Sequence, residues 1–244
     1  MEILHLEEVD STNAYIMREV ANLEAPVMVT AFRQTAGQGQ RGNSWEAAPG
    51  KNLTFSIFYR PSEFPPMAQF AMSEAVALAV VDFLRVHGVE AKVKWPNDIY
   101  VGDKKICGIL IRHSIMGPTV DYSVIGVGIN VNQMEFLSDA PNPVSMGQLT
   151  GLSYDISALY AEIATIMESR LEHIGESDCR KTLHEEFMNS LWRGDGEMHP
   201  FTDAATGETF PASIVDIAEH GPITLRLSDG SERTYAFKEV SFVL

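Results

Sequence analysis

Only two cysteines, Cys107 and Cys179, occur in the 244 residues, far apart and with no CxxC pair or neighbouring histidines. That spacing excludes a disulfide framework and offers no zinc site, so both read as free thiols. Basic residues are also scarce: 18 Lys and Arg face 33 Asp and Glu, a formal charge of -15. Nucleic acid is a poor partner for such a chain, because affinity for phosphate backbones comes largely from Lys and Arg. Long hydrophobic runs are missing too. The longest, Ala75 to Val81, falls short of the roughly 18 to 20 residues that cross a bilayer, and Met1 to Val9 is too polar for a signal peptide. These absences predict a cytoplasmic protein with no membrane partner. Neither an HExxH nor a Ser-His-Asp order stands out among the seven histidines, so the usual hydrolase signatures are lacking.

What is present is an ordinary globular composition, 45% hydrophobic, long enough for one substantial core and a small second domain. Charge is unevenly spread. From Arg33 to Arg112 there are ten Lys and Arg against seven Asp and Glu, a balance of +3 that leaves -18 for the remainder. The middle of the chain is therefore where an anion is best tolerated.

Asp10-Ser11-Thr12 before Ala14, Met17, Val20 and Ala21 predicts a helix N-cap, with a strand following at Val27 to Phe32. Residues 68 to 87 are almost wholly apolar and are closed by Gly88, which predicts a buried helix with a glycine C-cap. Strand-like segments follow at Ala91 to Trp95, Ile99 to Val101, Lys105 to His113 and Val120 to Val131, with Gly102-Asp103 and Gly117-Pro118 as turns. Amphipathic helices are expected at Ser157 to His173 and Asp178 to Leu191, and short β runs from about Gly194 onward. The expected fold is α+β: a mixed, mostly antiparallel sheet backed by helices over residues 1–193, then a small all-β domain over 194–244.

Gly37, Gly39 and Gly42 spell G-x-G-x-x-G, but a dinucleotide fingerprint must open a helix. Pro49 and Gly50 would stop any helix here within two turns, and Asn52 to Tyr59 resumes as a strand. What remains is a polar loop of some twenty residues between strands, either a floppy surface excursion or a segment whose backbone NH groups wrap an anion. A second signal is KVKWPNDIYVGDKKICGILIR at 92–112. Pro96 breaks the strand and holds Trp95 extended, and Gly108 permits close approach of a ligand or backbone. Taken alone, Lys104 and Lys105 read as solvated turn residues and Gly108 as a bulge.

Taken together, DSTN at 10–13, RQTAGQGQRGNSW at 33–45, KWPNDIYVGDKKICGIL at 94–110 and GVGINVN at 126–132 resemble, in order and spacing, the biotin protein ligase family. The likeness runs over essentially the whole chain, and KWPND followed by K-x-x-G-I-L is its most specific part. It implies a class II synthetase-like catalytic fold with a C-terminal SH3-like barrel. It also implies activation of biotin by ATP and Mg2+ to biotinyl-adenylate, then transfer to a lysine of a biotin carboxyl carrier protein or domain. With only ten residues before Ser11, the resemblance implies a one-function enzyme without the DNA-binding domain of repressor members, and it allows a homodimer through the sheet.

Carried over from the resemblance, Lys105 lies between the biotin carboxylate and the α-phosphate as the chief catalytic cation. Lys94 and Asp98 join it as catalytic residues, Asp98 also orienting the incoming amine. Ser11, Thr12, Asn13, Gln34, Gly37, Gln38, Gly39, Gln40, Lys105 and Gly108 are implied around biotin. Arg41, Trp45, Lys94, Asn97 and Asn130 are implied around ATP. No protein ligand to Mg2+ is assigned. The loop departs from the family's arginine-rich pattern at Gln38 and Gln40. The competing readings are a lipoate ligase or octanoyltransferase of the same fold and a non-catalytic biotin or nucleotide sensor.

Overall fold

A computed structural model describes residues 1–138 and 142–244, without the side chain of Arg41. Seven strands form the larger sheet: β1 (Glu2–Val9), β2 (Val27–Gln34), β3 (Leu53–Tyr59), β4 (Lys92–Lys94), β5 (Asp98–Val101), β6 (Lys104–Met116) and β7 (Thr119–Ile129), in the order β1-β2-β3-β7-β6-β5-β4. Among the described strands of this sheet, only β1 and β2 run parallel; the other pairs are antiparallel. The sheet is thus mixed and mostly antiparallel, as the patterning predicts.

Alternation along the strands sends successive side chains to opposite faces. Val27, Val29, Phe58 and Val124 meet Ile16 of α1 (Thr12–Glu19) on one face. Met28, Ile57, Ile125 and Val127 join the main core on the other, with α2 (Phe70–Val86) and α4 (Ile156–Leu171). Helix α2 is apolar apart from Ser73, Glu74, Asp82 and Arg85, and most of it is buried. With the 310 turn before it, it is long and apolar enough to cross a membrane, but 78% of its apolar window is buried in the molecule, so it is a core helix. Its end is the glycine cap that Gly88 predicts: the Val89 and Gly88 amides bond to Leu84 and Arg85 carbonyls, with Gly88 at φ 72°.

After α3 (Met146–Thr150), α4 and α5 (Ser177–Asn189) come β8 (His199–Asp203), β9 (Thr209–Ile217), β10 (Ile223–Leu227), β11 (Glu232–Tyr235) and β12 (Val240–Phe242). They form an antiparallel five-stranded sheet of order β11-β10-β9-β8-β12. Phe201, Ile217, Leu225 and Val240 from this sheet belong to the same buried cluster as the main core. Polar contacts also bind the two sheets. Trp95 donates its indole N–H to the Gly221 carbonyl at 2.9 Å. His184 of α5 bridges the buried Glu74 of α2 at 2.7 Å and Asp216 of β9 at 3.4 Å. Burial opposes charge on His184, but the two carboxylates outweigh it and hold the imidazole above its ordinary range.

Several expectations need correction. Strand β1 and helix α3 have no counterpart in the sequence reading. Ser11 occupies the N-cap position with extended geometry, yet its side chain makes no capping bond, so its hydroxyl is not committed to the helix. Strand β7 ends at Ile129, two residues before Val131. The remaining boundaries differ by a few residues, as helix and strand ends commonly do. Both cysteines are free, Cys107 fully buried in β6.

Candidate active site

Strand alternation places Gly108 of β6 opposite Gly128 of β7, and Leu110 opposite Gly126. The result is a bare patch in the middle of the face that carries α1. A Cβ on Gly128 would lie 2.3 Å from the Trp45 indole, and one on Gly108 3.0 Å from the same ring. These glycines therefore serve close approach, and their bareness makes the floor of a cavity of about 1010 Å³.

The loop at 35–52 is neither structureless nor a dinucleotide motif. Gly37 to Gly39 runs antiparallel to Asn43 to Trp45, with Gly39 N–H on the Asn43 carbonyl at 2.7 Å and Trp45 N–H on the Gly37 carbonyl at 2.9 Å. Gln40–Gly42 forms a 310 turn at its tip. This small hairpin lids the cavity and presses Trp45 onto the glycine patch. Behind it, the Glu46 carboxylate accepts the backbone N–H groups of Leu137 and Ser138 at 2.9 and 2.7 Å, and Gln133 accepts the Ala48 N–H and the Asn52 amide. Those donors offset burial and hold the Glu46 carboxyl below its ordinary range.

At one end of the cavity, side chains are neutral and polar. The Thr12 N–H donates to Gln34 Oε1 at 2.8 Å, and its hydroxyl pairs with Ser56 Oγ at 2.9 Å. Ser11, Thr12, Asn13 and Ser56 are all buried. At the other end the hairpin β4–β5, broken at Trp95-Pro96-Asn97 with a cis bond before Pro96, presents cations. Lys105 Nζ lies 2.7 Å from Asp98 Oδ1 and over the Trp45 ring. Lys94 Nζ lies between the rings of Tyr100 and Phe242, 5.0 and 5.2 Å from their centroids. Asn97 is turned back, its amide donating to the Ile109 carbonyl at 2.9 Å. Asn130 donates to the Val144 carbonyl while its buried Oδ1 has no partner, an acceptor left for a ligand donor.

Of the residues implied by resemblance, Ser11, Thr12, Asn13, Gln34, Gln38, Gly39, Gln40, Trp45, Lys94, Asn97, Asp98, Lys105, Gly108 and Asn130 all line this one cavity. Gly37 stands behind it, where a Cβ would meet the Trp45 carbonyl at 2.5 Å. The side chain of Arg41 lies outside the described residues. One expectation changes in kind: Lys105 is no free cation but half of an ion pair with Asp98. Sequence reasoning missed Ser56, Glu46 and Gly126 of the lining, and Phe242 of the C-terminal sheet. The glycine alternation in GVGIN, beside the break that Gly108 makes in its strand, was the available signal for the floor.

The sequence model of the "Biotin/lipoate A/B protein ligase family" matches residues 6–130. The chain belongs to that family. Among curated relatives, the bifunctional ligase/repressor BirA of Escherichia coli is 33% identical over 172 residues, 68% of this chain and 52% of that protein. The biotin--[acetyl-CoA-carboxylase] ligase of Mycobacterium tuberculosis is 31% identical over 168 residues, 66% of this chain and 60% of that protein. The chain spans about half the length of the curated relatives it matches first. Among solved structures, biotin protein ligase from Aquifex aeolicus in complex with biotin and ATP superposes with a TM-score of 0.80 over 98% of this chain and 97% of that one, at 24% identity. Both sheets therefore share the ligase fold.

Two predictions arise from this geometry. Burial pulls the Lys94 ammonium below the ordinary lysine range, Asp98 pulling partly the other way. An anion held at this end needs the charged form, so its affinity is full below that lowered value and falls as pH rises through it. Affinity for pyrophosphate should fall on the alkaline side, and Lys94→Arg, which stays charged, should remove the fall; an identical limb in the Arg variant contradicts the assignment. The second concerns Gln40, whose Oε1 is buried without a partner. A neutral amide cannot grip phosphate bidentately as Arg does, so Gln40→Arg should slow release of a phosphate-bearing ligand from the cavity; equal off-rates would refute this.

Proposed function

We propose that the protein is a biotin protein ligase, joining biotin to ATP as biotinyl-5'-adenylate and passing the acyl group to a lysine of a carboxylase carrier domain. One observation carries the reading: a single cavity has a neutral, hydrogen-bonding end at Thr12, Gln34 and Ser56 and a cationic end at Lys94 and Lys105. A ureido ring has N–H and C=O groups that need buried partners. The dithiolane of lipoate has none, and offers nothing to the Ser11 hydroxyl, which makes no capping bond, or to the hydrogen-bonding capacity that Gln34 and Ser56 keep beyond their bonds to Thr12. That polarity favours biotin over the lipoate and octanoyl reading. Two ammonium groups count against a mere sensor, since ring recognition needs no cation.

In the first half-reaction a biotin carboxylate oxygen attacks the α-phosphorus and the bond to the β-phosphate oxygen breaks, releasing pyrophosphate. Both reactants are anions, so the catalytic task is to hold and neutralise them. Lys105 stands where it can exchange its contact with Asp98 for the two anions. Lys94, Asn97 and Asn130 face the nucleotide, with Trp45 covering it. Ser11, Thr12, Asn13 and Gln34, with the lid from Gly37 to Gln40 and the bare strand at Gly108, enclose biotin. Released from Lys105, Asp98 can orient the lysine amine, which attacks the acyl carbon, expels AMP and loses a proton. Among the described residues no cluster of three or more metal-ligating side chains occurs. Mg2+ brought in with the triphosphate would supply charge neutralisation, and Asp98 in the cavity lining would be a carboxylate able to contact it.

The chain is read as a catalytic unit over 1–193 and a β domain over 194–244 whose Phe242 steadies Lys94. A cytoplasmic location fits the chemistry, because ATP and carrier domains are met there. Strand β5 pairs with β6 no further than Gly108, leaving an edge that exposes Ile115 and Met116, where a homodimer would extend the sheet. The function is tested by incubating the protein with biotin, Mg-ATP and a carrier domain. One biotinyl mass increment on one lysine is expected; labelling driven by lipoate and not by biotin overturns the reading.

A further inference from the structure

Arg112 extends the cavity-facing side of β6, two positions beyond Leu110. Its guanidinium divides its fork between two neutral amides: Nη1 donates to Asn13 Oδ1 at 2.9 Å and Nη2 to Gln38 Oε1 at 2.9 Å. Asn13 sits in α1 at the closed polar end, and Gln38 in the lid hairpin, bridged to Ser44. One rigid strand side chain therefore ties the recognition helix to the lid. With Oδ1 held, the Asn13 amide group is turned toward the Leu110 carbonyl, 3.5 Å away, and lies 3.0 Å from where a Gly126 Cβ would be. Arg112 thus fixes which end of that amide faces the floor.

From this geometry we infer that Arg112 is a positioning residue: it orients Asn13 and fastens the lid through Gln38, so that filling the ring pocket and closing the hairpin become one event. The lid carries Gln at 38 and 40; among the described side chains, the cation bonded to Gln38 comes from the sheet. The idea rests on the proposed biotin site for its consequences, but not for the fastening itself. A guanidinium supplies two directed N–H donors at fixed separation, which an ammonium cannot reproduce.

Two measurements separate these levels. In ligand-free protein, Arg112→Ala should speed hydrogen exchange at Gly39 and Trp45, whose amides close the hairpin, with melting unchanged because Arg112 is exposed. Unchanged exchange overturns the fastening whatever the enzyme's substrate. In the loaded enzyme, biotin and biotinyl-adenylate should leave roughly tenfold faster, with KM for ATP unmoved and Arg112→Lys restoring only part. Gln38→Ala should add little in the Arg112→Ala background; effects that multiply would show that the two do not act together. Faster exchange without any binding of biotin by the unaltered protein would retain the fastening and overturn the ligase reading.

Discussion

Lys105→Ala is expected to abolish adenylate formation, lowering the rate of pyrophosphate release by roughly a hundredfold to a thousandfold, the cost of removing one preorganised charge-stabilising group. The loss should exceed that of a lysine alone. Lys105 lies 2.7 Å from Asp98, so its removal leaves a carboxylate facing two further anions. Asp98→Asn in the Lys105→Ala background should recover part of the rate. Lys105→Arg should retain charge but recover little, because a planar fork does not replace a compact ammonium between two oxyanions. Biotin binding should weaken only modestly in each, since the ring end at Thr12, Gln34 and Ser56 is untouched. Pyrophosphate release at the normal rate from Lys105→Ala would remove Lys105 from the chemistry.

Gly128→Val is expected to be nearly as damaging while leaving the fold intact. Gly128 is the penultimate residue of β7, paired with Thr54 on one side and Gly108 on the other, where a β-branched residue is well suited to the backbone, so the strand should form. The new Cβ, however, would fall 2.3 to 2.7 Å from three atoms of the Trp45 indole. Overpacking of this kind costs about 1–3 kcal/mol, at its upper end roughly a hundredfold in kcat/KM. The ring must leave the patch, and the lid hairpin with it. Fluorescence reads this directly: Trp95 lines the cavity too but is buried with its indole N–H on the Gly221 carbonyl, and Trp192 is buried with its own on the Gly102 carbonyl, so a red shift in Gly128→Val reports Trp45 entering water. An unshifted spectrum with normal activity would show that the patch is not the floor of the site.

How much of this was legible in the sequence follows from the range of each interaction. The helix at 70–86 and its glycine cap, the hairpins at Gly102 and Gly117 and the C-terminal β run are local patterns and could be read residue by residue. Strand β1 could not: Glu2 to Val9 is an edge strand with no fully buried residue, and its parallel partner lies 25 residues away in register. The cavity residues could be named from the family resemblance, and all but Gly37 and the undescribed side chain of Arg41 line one cavity. Their relations could not be named. The pairing of Lys105 with Asp98, the Phe242 ring on Lys94 and the Arg112 bridge each join segments that only the folded sheet brings together. A side chain such as Glu46, tied to amides 91 and 92 positions away, carries no sequence signal at all.

Two anions must meet at Lys105 for the reaction proposed, and a crystal structure with biotin and a non-hydrolysable ATP analogue tests that most directly. The ureido ring should contact Thr12, Gln34 and Ser56, while the biotin carboxylate and the α-phosphate both lie within about 4 Å of Lys105 Nζ, the contact with Asp98 having opened. Biotin or nucleotide bound away from the Gly108 and Gly128 patch, with Lys105 still held by Asp98, would contradict it.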